Sequence, residues 1–288
     1  MNIEAVTITG KYSGPSVLIT AGMDGDEYTG IETARTLINT YKPDNVRGTL
    51  TILPTVNVAG FQNHTSFSPV DRKYPKFTFP GTRNGSDTEV RMHYLYETYV
   101  KHAGLWIDLH GGATDERLTP FLWLSQSKKK HIRNFQTKLL SYTSAPVVVW
   151  DRHPFMPYSV FLERLDIPYI MVECGDQGKT DKKDVKKMAR WVHEALMIFG
   201  SLVHTSKMER NDALIYTSVQ YTLAPDNGIW QSSTMSDIFL GKLFSSTLHK
   251  ERAIKRQSGL LLWQKIGTEC KKGDVLAAYA RELISKER

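Results

Sequence analysis

Cysteine is scarce in this chain of 288 residues: Cys174 and Cys270 are the only two, and they lie far apart. That excludes a disulfide framework and a cysteine-rich metal site. No apolar run approaches the ~18 residues needed to cross a bilayer. The opening Met1-Asn-Ile-Glu-Ala has neither the basic region nor the apolar stretch of a secretory signal. Repeats and low-complexity tracts are absent too. The expectation is a cytoplasmic protein with no membrane partner.

The charge balance is basic, with 37 Lys and Arg against 30 Asp and Glu. The lysines gather at Lys128-Lys129-Lys130 and from Lys179 to Lys187, in or beside helical segments and without aromatic interleaving. A nucleic-acid platform needs bases to stack on aromatic rings, so these read as solvated helix faces, and no nucleic-acid partner is expected. Hydrophobic residues at 41% supply enough apolar side chain for a large core.

Short β-branched runs alternate with helical patterns over the first two-thirds. Ser16–Thr20, Thr49–Leu53, Leu105–Leu109, Pro146–Trp150 and Pro168–Val172 read as buried strands. Helices are predicted over Thr29–Tyr41, Asp87–His102, Lys130–Tyr142 and Asp181–Phe199. In the last of these, Val185, Met188, Trp191, Val192, Ala195 and Leu196 recur at helical spacing. The fold class is therefore α/β, a sheet with helices on both faces. After about residue 205 the texture turns to short apolar pieces punctuated by glycine. This predicts a second, small β-rich domain over residues 206–288, following a first domain over 1–205.

Sites in α/β sheets gather at the carboxyl ends of strands. Three predicted strands run there into polar residues. Thr20 leads to Ala21-Gly-Met-Asp-Gly-Asp-Glu27, Leu109 to His110-Gly-Gly112, and Val172 to Glu173-Cys-Gly175. Two carboxylates, Asp24 and Glu27, with the imidazole of His110 suffice to hold a divalent metal, and a further carboxylate, Glu173, can serve as general base toward water. The plain alternatives are Asx-turns and helix capping for Asp24, a first-turn helix position for Glu27, and a loop hydrogen bond for His110. Asp108 shares a strand face with His110, either supporting it or capping a neighbouring loop. Arg152 and His153 fall in the loop after a strand, where they either reach substrate or stand as surface residues.

These segments resemble the succinylglutamate desuccinylase/aspartoacylase family of zinc hydrolases, related to the metallocarboxypeptidases. The resemblance starts at Gly14–Gly30 and continues through Pro54-Thr-Val-Asn57, Ser68-Pro-Val-Asp71, Phe79-Pro-Gly81 and Asp108-Leu-His-Gly111. It resumes at Tyr158-Ser-Val, Asp166-Ile-Pro168 and Val172-Glu-Cys-Gly175, and ends with Ala224–Gly228 and Lys271–Leu276, in the family's order. It implies a metallocarboxypeptidase-like mixed sheet with a small C-terminal β domain. It also implies hydrolysis of an amide in a small N-acyl substrate, with Glu27 and His110 as metal ligands and Glu173 as the base.

Two departures stand out. Asp24 occupies a position where the family has His; a carboxylate still binds Zn²⁺, and the harder donor set also admits Mn²⁺ or Fe²⁺. Where the family has Asn-Arg before Phe-Pro-Gly, this chain has Lys76 and Phe77, and a further family Arg falls on Ser66. Phe cannot clamp a carboxylate, so Arg72, Arg83 and Lys76 become the candidates for substrate binding. N-acyl-aspartate and N-acyl-glutamate are not the expected substrates. The contrasting reading is a non-catalytic relative serving as a ligand-binding or regulatory module. Either reading is compatible with a homo-oligomer.

Overall fold

With Pro146 and Pro168 just ahead of their strands, each β-branched run singled out above falls on a strand of the structure. It is a computed structural model that describes residues 3–151, 161–162, 164–203, 207–233 and 238–284. Arg152, His153 and Tyr158 lie outside the described residues. The strands are β1 (Val6–Thr9), β2 (Tyr12–Ala21), β3 (Arg47–Leu53), β4 (Leu105–His110), β5 (Glu116–Leu118), β6 (Phe121–Ser125), β7 (Val147–Asp151) and β8 (Tyr169–Glu173). Beyond them come β9 (Leu214–Leu223), β10 (Gly228–Ser232), β11 (Phe239–Ser245), β12 (Lys250–Lys255), β13 (Leu260–Lys265), β14 (Gly267–Cys270) and β15 (Val275–Ile284). The helices are α1 (Tyr28–Thr40), α2 (Val58–Asn63), α3 (Pro75–Thr78), α4 (Asp87–Thr98), α5 (Lys130–Tyr142) and α6 (Lys182–Phe199).

Eleven strands form one mixed sheet in the order β1-β3-β2-β4-β8-β6-β7-β9-β15-β13-β5, and β12-β11-β10-β14 form a separate antiparallel sheet. The segment β3-β2-β4-β8 is parallel throughout. β6 then runs antiparallel to β8, which makes the sheet mixed. The C-terminal strands are hydrogen-bonded to this sheet: β9 pairs in parallel with β7, and β13 carries the short β5 on its outer side.

The central strands are buried on both faces, so their side chains sort by parity. Val17, Ile19, Ile107, Leu109, Ile170 and Val172 join a core covered by Ile31 and Leu37 of α1 and Trp191 and Ala195 of α6. Leu18, Trp106, Tyr169 and Met171 face the opposite core with Phe79, Met92 and Leu95. α6 starts where the Asp181 side chain accepts the Lys183 N–H at 2.7 Å and stops at Gly200, whose φ of 83° lets the chain leave the helix. No helix among the described residues is long and apolar enough to cross a membrane.

Candidate metal centre and active site

The polar residues predicted at three strand ends converge because β2, β4 and β8 are adjacent and parallel, and His110 pairs in register with Glu173. From the end of β2 the chain turns through residues 22–27 over α2. Gly25 permits that turn, since a β-carbon there would lie 2.2 Å from the Gly60 carbonyl carbon. The turn delivers Asp24 and Glu27 beside His110, and one donor atom from each of the three lies within 4.8 Å of the others. All three residues are buried.

His110 is held at both ring nitrogens. Nδ1 lies 2.8 Å from Glu27 Oε2, and Nε2 lies 3.1 Å from Asp108 Oδ2. Asp108 also accepts the Thr20 hydroxyl at 2.5 Å and the Tyr169 hydroxyl at 3.1 Å. The Thr20 oxygen in turn accepts the Trp106 indole N–H at 2.7 Å. Asp108 is thus the support of His110, settling the choice left open by its strand position. An imidazole N–H directed at a carboxylate leaves the other nitrogen's lone pair for a metal. Glu27 Oε2 additionally accepts the Gly111 N–H at 3.1 Å.

Without a cation this is an uncomfortable cluster. Burial and the neighbouring Asp24 push the Glu27 carboxyl well above its usual range. Burial opposes the charge on His110, yet Asp108 and Glu27 outweigh it and raise the imidazole well above its ordinary value. Asp24 shows the reverse: burial resists its charge, but Lys76 and His110 prevail and lower its pKa. Asp24 Oδ1 is buried and has no hydrogen-bond partner, whereas Oδ2 accepts from the Lys76 ammonium. A buried carboxylate oxygen without a donor is costly. An orphaned oxygen, a second carboxylate and an oriented imidazole fit a divalent cation.

This cluster lies in the wall of a cavity of about 540 Å³ that Glu173 also lines. Desolvation is the main reason its carboxyl is pushed up to about 8, with His110 and Lys76 pulling the other way. Residues from the C-terminal strands close the opposite side, among them Trp263, Lys265, Glu269 and Leu276. Lys265 is bound by Asp115 at 2.8 Å and Glu116 at 2.9 Å. These residues lay outside the sequence reading, and no spacing signal marks a pair so far apart in the chain.

The sequence-predicted substrate residues separate. Lys76 is in the cavity and paired with Asp24. Arg72 and Arg83 are exposed and do not line it; the Arg72 guanidinium instead rests over the Phe67 ring, 5.0 Å from its centroid. Phe77 lines the cavity, and the Lys76 ammonium sits 5.5 Å from its ring centroid. Ser66 also lines it and donates to Asp26 at 2.7 Å. Asp71 anchors the loop carrying Lys76 by accepting from the Ser86 hydroxyl and from the Thr88 N–H and hydroxyl at 2.6–2.8 Å. Burial resists that charge, but these donors hold the carboxyl down at about 2.

Residues 13–199 match the model of the succinylglutamate desuccinylase/aspartoacylase catalytic domain. The chain belongs to this family. Members of the succinylglutamate desuccinylase/aspartoacylase family are deacylases. Among curated relatives, the N-alpha-acetyl-L-2,4-diaminobutyric acid deacetylase of Halomonas elongata is 32% identical over 200 residues, covering 68% of this chain. The match spans 58% of that relative's length. The product-bound ectoine utilization protein EutE of Ruegeria pomeroyi has the same fold, with a TM-score of 0.81 at 22% identity over 96% of this chain and 88% of that one. A succinylglutamate desuccinylase/aspartoacylase of Rhodobacter sphaeroides superposes with a TM-score of 0.80 at 21% identity, covering 97% of this chain and 90% of that one. Both matches extend over the C-terminal strands as well as the region of the family model.

Proposed function

We propose that this family member is a zinc-dependent amidohydrolase that removes the acyl group from a small N-acylated compound carrying a free ammonium group. The observation that supports it most is the convergence of Asp24, Glu27 and His110 within 4.8 Å on a cavity that Glu173 also lines. Zinc would be held by Asp24, Glu27 and His110; when bound it supplies Lewis acidity toward the acyl carbonyl and makes water more acidic. The Glu173 carboxylate takes a proton from water and returns it to the nitrogen of the departing amine. A base with a raised pKa suits both halves of that shuttle, since it must release the proton it accepts. Asp108, through His110 Nε2, keeps Nδ1 turned to the cation. The C-terminal strands supply part of the cavity wall, which favours small substrates over proteins.

Charge supports the choice of substrate. Among the described residues, seven carboxylate residues line the cavity, namely Asp24, Glu27, Asp115, Glu116, Glu173, Glu269 and Asp274, against Lys76 and Lys265. Both lysines are already engaged by carboxylates. Such a lining repels a dicarboxylate and attracts an ammonium. The Halomonas elongata relative is named for a diaminobutyric acid, a compound with a second amino group.

Elemental analysis of protein purified without chelators tests the metal, and a panel of N-acyl compounds tests the substrate. The expected result is about one equivalent of zinc, lost in both Asp24→Ala and His110→Ala. Acetylated diamino acids should exceed acetyl-aspartate in kcat/KM by at least about tenfold. Efficient hydrolysis of acetyl-aspartate or succinyl-glutamate overturns the substrate class. Failure to take up zinc, manganese or iron overturns the hydrolase.

A further inference from the structure

Among the described residues, Lys76 is the lysine that binds a carboxylate of the metal centre, and its position is unusual for a lysine. It stands on the four-residue α3, packed beside the Phe77 ring, and its side chain is only 24% exposed although the bulk solvent is close. Its ammonium is bound to Asp24 Oδ2. The contact takes Oδ2, which also lies 4.0 Å from His110 Nδ1, and leaves Oδ1 buried without a hydrogen-bond partner. A lysine placed only to satisfy Asp24 would have no reason to leave Oδ1 bare in a buried site, where an oxygen without a donor is costly.

We propose that Asp24 and Lys76 work as a single unit toward the cation: Lys76 is a positioning residue that holds the Asp24 carboxylate through Oδ2 and cancels its charge. This rests on the metal centre proposed above. Two carboxylates and a neutral imidazole carry two negative charges; with the ammonium bound to Asp24 the set carries one. The remaining charge leaves a divalent ion with a net positive field, the condition for polarising a carbonyl. The same ammonium repels the ion, so it lowers metal affinity while preserving the ion's strength as an electrophile. Lys76 is then occupied by the protein itself and is not free to bind a substrate anion.

The test is zinc affinity of the full-length chain, measured by competition with a chromophoric chelator. It compares the wild type, Lys76→Met, Asp24→His and the double variant Asp24→His/Lys76→Met. Removing the ammonium alone should tighten zinc binding by about tenfold, because the repulsion between two cations is lost. A lysine serving only to hold the structure together would weaken binding or leave it unchanged. Asp24→His puts a neutral ring beside an ammonium that has lost its partner, so zinc binding should weaken by at least about tenfold. The double variant is neutral at both positions and should return to within about threefold of wild type. Melting of the metal-free proteins is the second readout: Lys76→Met should melt below wild type and gain more from zinc. Equal affinity of Asp24→His and the double variant, or of Lys76→Met and wild type, overturns the inference while the metal centre stands. Absence of zinc from the wild type and all variants overturns both.

Discussion

On one face of β4, Leu105, Ile107 and Leu109 are fully buried among aliphatic side chains. On the other, Trp106, Asp108 and His110 are equally buried, but every polar atom is tied to a neighbour through Thr20, Tyr169 and Glu27. Residues that alternate along six positions thus belong to two physical regimes. The apolar face is held by non-directional burial, which tolerates a change of shape if volume is kept. The polar face depends on single hydrogen bonds and charges, and each loss leaves a partner stranded at low dielectric. Stability therefore resides mainly on one face and the proposed chemistry on the other. Neighbouring residues of the same strand should fail in opposite ways.

The sharpest break of that comparison sets Glu173→Gln against Ile107→Ala. Glutamine keeps the shape of the base and removes its proton traffic. Deacylase kcat should fall by about 10²–10⁴-fold, with zinc content unchanged and melting not lowered. Ile107→Ala should destabilise by about 2–5 kcal/mol through the cavity it leaves, while the enzyme that remains folded retains its zinc and kcat. Denaturant titration beside steady-state kinetics separates the two. Equal loss of both properties in either variant would mean that the faces are not independent.

Next in size is the support of His110. Asp108→Asn leaves Nε2 without a carboxylate acceptor and should weaken zinc affinity by about 10–100-fold. The substituted amide can turn its N–H toward Nε2, which favours the tautomer with its proton on Nδ1, the wrong nitrogen for a ligand. Chelator competition reads the change directly. Unaltered affinity would show that Glu27 alone orients the ring.

Glu173 also makes the metal-free protein sensitive to pH. Its folded pKa of about 8 lies above the ordinary value of 4.5, chiefly because burial penalises the charge. The folded state then binds this proton more tightly than the unfolded chain does. Its contribution to stability is full below about 4.5 and is lost as pH rises through about 8. The stability difference between Glu173→Gln and the wild type, both stripped of metal, should therefore grow in favour of the variant across that window. A difference that is flat from pH 5 to 8 would remove the raised pKa from the account of the base.

Periodicity alone made much of this architecture legible. The run Lys130–Tyr142 is α5, and Asp181–Phe199 is α6 with its N-cap. Parallel strands buried on both faces leave unbroken β-branched runs, which is why the ends of β2, β4 and β8 could be found with their polar residues. β6 went unseen: Phe121–Ser125 is a short apolar run between β5 and a lysine-rich segment, and its antiparallel place beside β8 follows from tertiary pairing. Lys76 was visible as a cation near the site, but not its partner, because Asp24 reaches it across 52 positions of chain. Lys265 with Asp115 bridges 150 positions, and no local pattern encodes such a meeting. Sequence spacing reported which residues leave each strand end; only the approach of distant segments reports what they touch.

The smallest expected effect lies at the far end of the polar face. The Thr20 hydroxyl donates to Asp108 Oδ1 and accepts from the Trp106 indole, so it joins the aromatic core to the support of His110. Thr20→Val keeps the shape and branching that a β-strand favours but removes both bonds. Asp108 keeps Tyr169 and His110 on Oδ2 but loses the donor to Oδ1, and the Trp106 N–H loses the Thr20 oxygen. The cost should be about 1–3 kcal/mol of stability, the usual penalty for depriving a buried polar group of its partner. Zinc affinity should move by less than about tenfold, below the effect of Asp108→Asn. Thermal unfolding and chelator competition on the same preparation check both figures. A valine variant as stable as wild type would show that the hydroxyl contributes no more than methyl packing, and the contrast between the two faces would then begin at Asp108 rather than at Thr20.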